Sequence, residues 1–531
     1  MTLQNDSFNH SGGGNPRKSY RLVGQPLLYA ITCFASLGVF LFGYDQGVMS
    51  GIITGPQFKA FFKQPDSYQI GTMVAILEVG AFITSIAAGR VADIIGRRKT
   101  LFTGACIFVV GGAIQTFTTG FKMMVLGRIV SGFGVGLLST IVPIYQSEIS
   151  PAEHRGKLAC IEFTGNIFGY ASSVWVDYFS SFLESDWAWR LPLFMQCVIG
   201  AILAAGSLLL PESPRWLIDN DLLDEGRKVI SDLHGGDPDD FKAVAEFNEI
   251  KEMVEKDRLV GDRSYLAMWR RYRQRVLIAM SSQAFAQLNG INAMVFEQAG
   301  WIGREAILMT GINGIIYVFS TVPTWYLVDV WGRRAILMSG AAVMALALSA
   351  TGWFMYIDQA YTPNAVVLCV IVFNAAFGFS WGPLPWLYPP EIMPLAFRAK
   401  GVSMSTATNW LFNWIVGQVT PTLQEVIQWR LYPMHAFFCA CSLILVYFTY
   451  PETMGIPLEE MDVVFGEEPS ATGDDDSETS SLVRGRPRSY DSPAGSRHSS
   501  PASNQGWWGS VLGRRKAREA YQVVPSSDGG P

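Results

Sequence analysis

Apolar residues run through this chain in long blocks, not in the two-residue alternation of a half-buried strand. Twelve blocks stand out, near 27–50, 69–89, 101–119, 122–146, 157–178, 191–210, 275–296, 305–328, 335–356, 363–388, 401–420 and 432–450. At ~1.5 Å per helical residue, a block of about 20 residues crosses the ~30 Å hydrocarbon core of a bilayer. Polar and charged residues gather between the blocks. The pattern predicts an all-α membrane protein with twelve transmembrane helices.

The polar segments repeat. Asp93-Ile94-Ile95-Gly96-Arg97-Arg98 returns as Asp329-Val330-Trp331-Gly332-Arg333-Arg334, 236 residues later. Glu148-Ile149-x-Pro151-x-x-x-Arg155 returns as Glu391-Ile392-x-Pro394-x-x-x-Arg398, and Pro211-Glu212-Ser213 as Pro451-Glu452-Thr453, at offsets of 243 and 240. Three matches in one order mark a duplicated unit. Six blocks fall in each copy, which predicts two six-helix bundles. A tail (1–24) precedes the first bundle (25–210), and a charged linker with short helices (211–274) leads to the second (275–452). The last stretch (453–531) is Ser-, Gly-, Pro- and Asp-rich from Gly466 onward and is expected to be mostly disordered.

Arg90, Arg97, Arg98, Lys99, Arg155, Lys157, Arg333, Arg334, Arg398 and Lys400 crowd the short loops of one side, and the opposite loops are poorer in basic residues. Basic loops stay in the cytoplasm, so both tails are expected there, with the first span as targeting signal. Composition narrows the function further. Only 16% of residues are charged and the net charge is −5, which argues against a nucleic-acid partner. The seven cysteines lie in or beside apolar blocks, with no paired spacing and no histidines at ligand intervals. They read as small core residues, and neither a metal nor a cofactor is expected. The tail stretch Arg484 to Ser492 and Ser499-Ser500-Pro501 are candidate phosphorylation sites.

A charge inside the membrane costs ~2.5–3.5 kcal/mol on insertion scales and is seldom idle. Asp45 falls in the first span and Arg128 in the fourth. On neighbouring helices the two would neutralise each other, and protonating the acid would release the cation. That is a proton-coupling device; a static ion bridge would use the same residues. Glu78 and Glu162 are further buried-acid candidates, and the glycines after Arg128 suit close helix approach. On the basic face, Asp93, Arg97, Arg98, Glu148 and Arg155 recur as Asp329, Arg333, Arg334, Glu391 and Arg398. Such a set suits a gate whose salt bridges break and reform, or loop staples that never move. Gln283, Gln287, Asn289 and Asn292 on span 7, Trp386 on span 10, and Asn409, Trp410 and Asn413 on span 11 supply amides and rings. Amides donate to and accept from hydroxyls, and rings stack on sugar C–H faces. Together they suit a small neutral polyhydroxylated solute, or bonds between helices.

In this order, GYDQG, GRVADIIGRR, GRIVSGFGVG, PESPRWL, LNGIN, VDVWGRR, WGPLPW, PPEIMPLAFRAKG, NWLFN and PETMGIPLEE resemble the sugar porter branch of the major facilitator superfamily over about residues 25 to 462, the fungal hexose/proton symporters above all. The resemblance implies the major facilitator fold, alternating access in the plasma membrane, and a central sugar site at Gln283, Gln287, Asn292, Trp386 and Asn413. It also implies Asp45 and Arg128 as the coupling pair, with a sugar and a proton as partners. A facilitator, a polyol or disaccharide porter, or a sugar sensor that binds without translocating would carry much of the same wording. The chain departs from the family at Phe163, where a sugar-binding glutamine is usual, and at Ala286, where the first of two glutamines is usual. It is also shorter by about seven residues between Asn292 and the Phe296-Glu297-Gln298-Ala299-Gly300 phrase.

Overall fold

The computed structural model describes residues 22–151, 155–237, 239–259, 263–291, 304–357, 359, 361–456 and 461–465. Among these residues there is no strand; helices fill the membrane region. Span 1 is Gln25–Ile52, span 2 Ser67–Ile95, span 3 Arg97–Thr116, span 4 Phe121–Ile149, span 5 Arg155–Ser180 and span 6 Trp187–Ser207. Span 7 is Tyr265–Leu288, span 8 Arg304–Thr321, span 9 Arg333–Ile357, span 11 Arg398–Ile427 and span 12 Leu431–Thr449. Span 10 comes in two pieces, Thr362–Phe379 and Leu384–Ile392. Lipid offers no partner to a backbone amide, so helices that satisfy their own bonds are the expected solution.

Among the described residues, nine of the spans are long and apolar enough to cross a membrane on composition alone. Spans 5, 7 and 11 fall short, for a physical reason. They carry Glu162, Asn166 and Asp177, then Gln283 and Gln287, then Asn409 and Asn413, all buried among other helices. A span that faces protein on most sides need not be apolar all round.

Spans 1 to 6 pack on one another, as do spans 7 to 12, and the two bundles meet mainly where span 2 touches span 11 and span 5 touches span 8. Within the first bundle the approach is close. A Cβ on Gly132 would stand 2.2 Å from the Leu77 carbonyl oxygen, and one on Gly136 2.4 Å from that of Ala81. The glycines after Arg128 thus press span 4 onto span 2, as their spacing predicts.

Two spans differ from the expected boundaries. Span 7 begins at Tyr265, inside the stretch read as linker, and kinks at Tyr272 (φ −121°, ψ 27°) before entering the bundle. Its first turns carry Arg270, Arg271, Arg273 and Arg275 and read as loop by hydropathy. Span 10 breaks between Phe379 and Leu384 because Pro383 and Pro385 supply no N–H to continue the ladder. Three helices, Pro214–Asp219, Leu223–Leu233 and Phe241–Leu259, occupy the linker. They share a small core of Ile218, Ile230, Ala243, Ile250 and Val254.

Candidate functional site

Asp45 and Arg128 meet in the first bundle. Arg128 Nη1 donates to both carboxylate oxygens of Asp45 at 2.9 Å, and both side chains are buried. The arginine has two further acceptors: Nε donates to the Met73 carbonyl at 3.0 Å and Nη2 to that of Val74 at 2.9 Å. Spans 1, 2 and 4 are therefore tied through one guanidinium, a planar fork suited to this task. Glu78, one turn along span 2, is buried beside them, and its Oε2 has no hydrogen-bond partner among the described residues.

The amides gather in the second bundle. Gln283 Nε2 donates to the Pro385 carbonyl at 2.8 Å, beside the break in span 10. Gln287 Nε2 donates to Asn409 Oδ1 at 2.8 Å and joins span 7 to span 11. Asn413 is buried one turn beyond Asn409. Trp386 packs with Phe42 at 5.6 Å between ring centroids, and Phe42 meets Trp410 edge-on at 6.0 Å. Trp410 Nε1 in turn donates to Ser139 Oγ at 3.0 Å, so these three rings bridge the bundles. Phe163 leans on the span 10 break; a Cβ on Gly382 would stand 2.6 Å from its ring. Asn292 lies outside the described residues, as does the shortened stretch after it.

The repeated phrases form two matching clusters. Arg97 grips Glu148 through Nε (2.9 Å) and Nη2 (2.8 Å), and Ser213 Oγ donates to the same carboxylate at 2.5 Å. Arg333 grips Glu391 in the same way at 3.2 and 2.7 Å, with Thr453 Oγ1 at 2.7 Å. Glu212 accepts from the backbone N–H of Arg97 at 2.9 Å and of Arg98 at 3.2 Å; Glu452 accepts from Arg333 N–H at 2.8 Å and Arg334 N–H at 3.0 Å. Each acid caps the start of a span, where unpaired N–H groups and the helix dipole favour an anion. The glycine of each phrase has to be glycine: φ is +92° at Gly96 and +83° at Gly332, and a Cβ on either would stand 2.5 Å from the capping carboxylate.

Both clusters lie within their own bundle. Their aspartates reach across to the other bundle. Asp93 accepts from Lys400 Nζ at 2.9 Å, and Asp329 accepts from the backbone N–H of Lys157 at 3.0 Å. The Tyr265 hydroxyl donates to the Ile86 carbonyl at 2.7 Å, and the Ser403 hydroxyl to that of Ser85. Arg155 and Arg398 are buried here, and Arg398 acts electrostatically on Glu148 of the opposite bundle. Arg98 and Arg334 reach the carbonyls of Leu210 and Tyr447, at the ends of the adjoining helices. The basic face is closed by these contacts.

Sequence reasoning missed Glu212, Glu452 and the linking role of Lys157 and Lys400. A signal for the acids existed, since Pro-Glu-Ser/Thr was seen to repeat. It also passed over Asp177, a buried acid packed so tightly on Gly51 that a Cβ there would stand 2.3 Å from its Oδ2.

A family model described as "Sugar (and other) transporter" matches residues 31–465. The chain belongs to this family. It is a sugar transporter of the major facilitator superfamily, a multi-pass carrier and not an enzyme. Among relatives, it is 34% identical to the MFS-type transporter criB of Aspergillus cristatus, over 83% of this chain and 94% of that one. It is 32% identical to the sugar transporter STL1 of Saccharomyces cerevisiae, over 84% of this chain and 82% of that one. Among solved structures, it resembles the proton:xylose symporter XylE bound to 6-bromo-6-deoxy-D-glucose, with TM-score 0.74 and 26% identity, covering 82% of this chain and 99% of that one. XylE of E. coli in its inward-open form fits less well, at TM-score 0.65.

Proposed function

We propose that this chain is a proton-coupled symporter that imports a monosaccharide, a hexose by preference, across the plasma membrane by alternating access. Both termini face the cytoplasm, and the tail is a site of phosphorylation. The observation that carries the coupling is the doubly bonded Asp45–Arg128 pair, buried in the first bundle. Such a pair costs much to bury and is retained where its making and breaking has a use. Gln283, Gln287, Asn292, Trp386 and Asn413 hold the sugar. The described amides among them are uncharged and buried, which suits hydroxyls and rejects ions. The resemblance to a structure solved as a proton:xylose symporter supports the same reading.

Uptake of radiolabelled hexose in a transporter-deficient host, with and without a protonophore, tests it. Accumulation above the outside concentration that collapses with the protonophore is the expected result. Equilibration that ignores the protonophore would mean facilitation, and binding without uptake would mean a sensor; both overturn the proposal.

A further inference from the structure

Between the mid-membrane rings and the closed basic face lies a cavity walled by Phe42, Gln146, Arg155, Glu162, Phe163 and Trp386. Register fixes its direction. Phe42 stands near the middle of span 1, whereas Arg155 is the first residue of span 5, on the basic face. Two of the residues that line it carry a buried polar atom with no hydrogen-bond partner among the described residues, Glu162 Oε2 and Gln146 Oε1. Their side chains are only 4% and 1% exposed. The orientation of Gln146 follows from its neighbours. Thr32 Oγ1 spends its proton on the Leu28 carbonyl, so it must accept from Gln146 Nε2 at 3.0 Å, and the amide oxygen is left as an acceptor. The same Nε2 lies 2.8 Å from Ser150 Oγ.

A buried acceptor without a donor carries its full desolvation cost. Neither atom takes part in the coupling pair, the amide cluster or the staples. Their position relative to Phe163 is informative. Phe163 lines the cavity with an apolar ring that also meets Gly382, and Glu162, about 100° round the helix, lines it too. The polar contact that span 5 lacks at 163 is thus offered one residue earlier and nearer the basic face. In this closed state the cavity is small and mostly apolar; an O–H donor that enters as the basic face opens would satisfy these acceptors, with the Phe42 and Trp386 rings beside it.

We propose that this cavity is an inner subsite for the hydroxyls of the transported solute, with Glu162 and Gln146 as the acceptors. The inference rests on the sugar-transport reading above. The subsite lies on the closed side of Trp386, so a solute entering from the opposite face binds without reaching it. A solute entering or leaving through the basic face, once that face opens, contacts Glu162 directly. Glu162 is therefore a one-sided specificity determinant.

The full chain, reconstituted in vesicles and assayed separately from each face, tests this with D-glucose and its monodeoxy derivatives as probes. Glu162→Leu is expected to raise the half-saturation concentration at the basic face about tenfold, the loss of one buried polar contact, and to leave the opposite face within about twofold. Glu162→Gln, which keeps an acceptor oxygen, is expected to recover most of that loss. One monodeoxy sugar is expected to show the same basic-face deficit with the unmodified chain and no further deficit with Glu162→Leu. Equal shifts at both faces, or none at the basic face, overturn the subsite. Lost accumulation with unchanged half-saturation at both faces also overturns it, and would assign Glu162 to proton transfer. An unmodified chain with no saturable flux of any of these sugars from either face overturns the transport reading itself, and the subsite with it.

Discussion

In the first bundle Arg97, Glu148 and Ser213 staple helix ends together in this closed state; in the second, Arg333, Glu391 and Thr453 do the same, with N–O distances of 2.9 and 2.8 Å against 3.2 and 2.7 Å. The agreement ends a few turns deeper. The first bundle holds an acid and an arginine at mid-membrane, and the second holds glutamines and asparagines. Duplication kept the parts whose task is the same in both copies, fixing the start of a helix. It let the interiors diverge, one toward charge and the other toward neutral amides. The links between bundles follow neither rule. Asp93 takes a lysine side chain, whereas its copy Asp329 takes a backbone N–H.

The largest effects are expected at the charged interior. Asp45→Asn mimics the protonated acid and should abolish accumulation while sparing binding and exchange, measured by uptake and counterflow. Arg128→Ala leaves a buried acid without its cation and should also destabilise the protein by ~3–5 kcal/mol, seen as a fall in thermal unfolding temperature. If Asp45→Asn still concentrates sugar in a protonophore-sensitive way, the division of labour between bundles is wrong, and Glu78 would be tested next.

If the two staples are equivalent, Arg97→Ala and Arg333→Ala should lower stability by similar amounts, again on the order of 3–5 kcal/mol, since each strands a buried carboxylate. A marked difference between them in the same unfolding assay would break the symmetry. At the amides, Gln287→Ala removes a partner from buried Asn409 and should cost ~1–3 kcal/mol of binding, read as a higher half-saturation concentration. Lys400→Ala should cost about 1 kcal/mol or less of stability, because its partner Asp93 is partly exposed. Its effect should appear instead as faster labelling of cysteines placed on the basic face. Unchanged labelling would mean that Asp93–Lys400 does not hold that face shut.

The smallest effect lies in the linker. His234 is 2.5 Å from Glu246, and that hydrogen bond raises its pKa above the ordinary 6.5. The stabilisation is therefore complete below pH 6.5 and is lost as pH rises through the elevated value. Protection factors of amides in the helix Phe241–Leu259 should fall across that window, after correction for the intrinsic pH dependence of exchange, and His234→Gln should flatten that fall.

Much of this is legible in the sequence. Asp45 and Arg128 stood out because charge in an apolar run is expensive, and the staples stood out because they occur twice. Phe42 did not, since a ring within an apolar block looks the same whether it faces lipid or the opposite bundle. The capping of spans 3 and 9 by Glu212 and Glu452 joins residues more than a hundred positions apart, and no local pattern encodes it. The early start of span 7 was hidden by its arginines. Which lysine answers which aspartate depends on how the bundles dock, and that is a property of neither copy alone.

The three-way grip of Arg128 changes what a proton at Asp45 could accomplish. The guanidinium holds the carbonyls of Met73 and Val74 as well as the acid, and glycines press spans 2 and 4 together around it. Neutralising Asp45 would not set the arginine loose, because two of its tethers are backbone oxygens that do not titrate. Spans 2 and 4 would stay one body, and span 1 would be the part disengaged. A proton would then act less as a key that opens a lock than as a clutch, deciding which helices travel together.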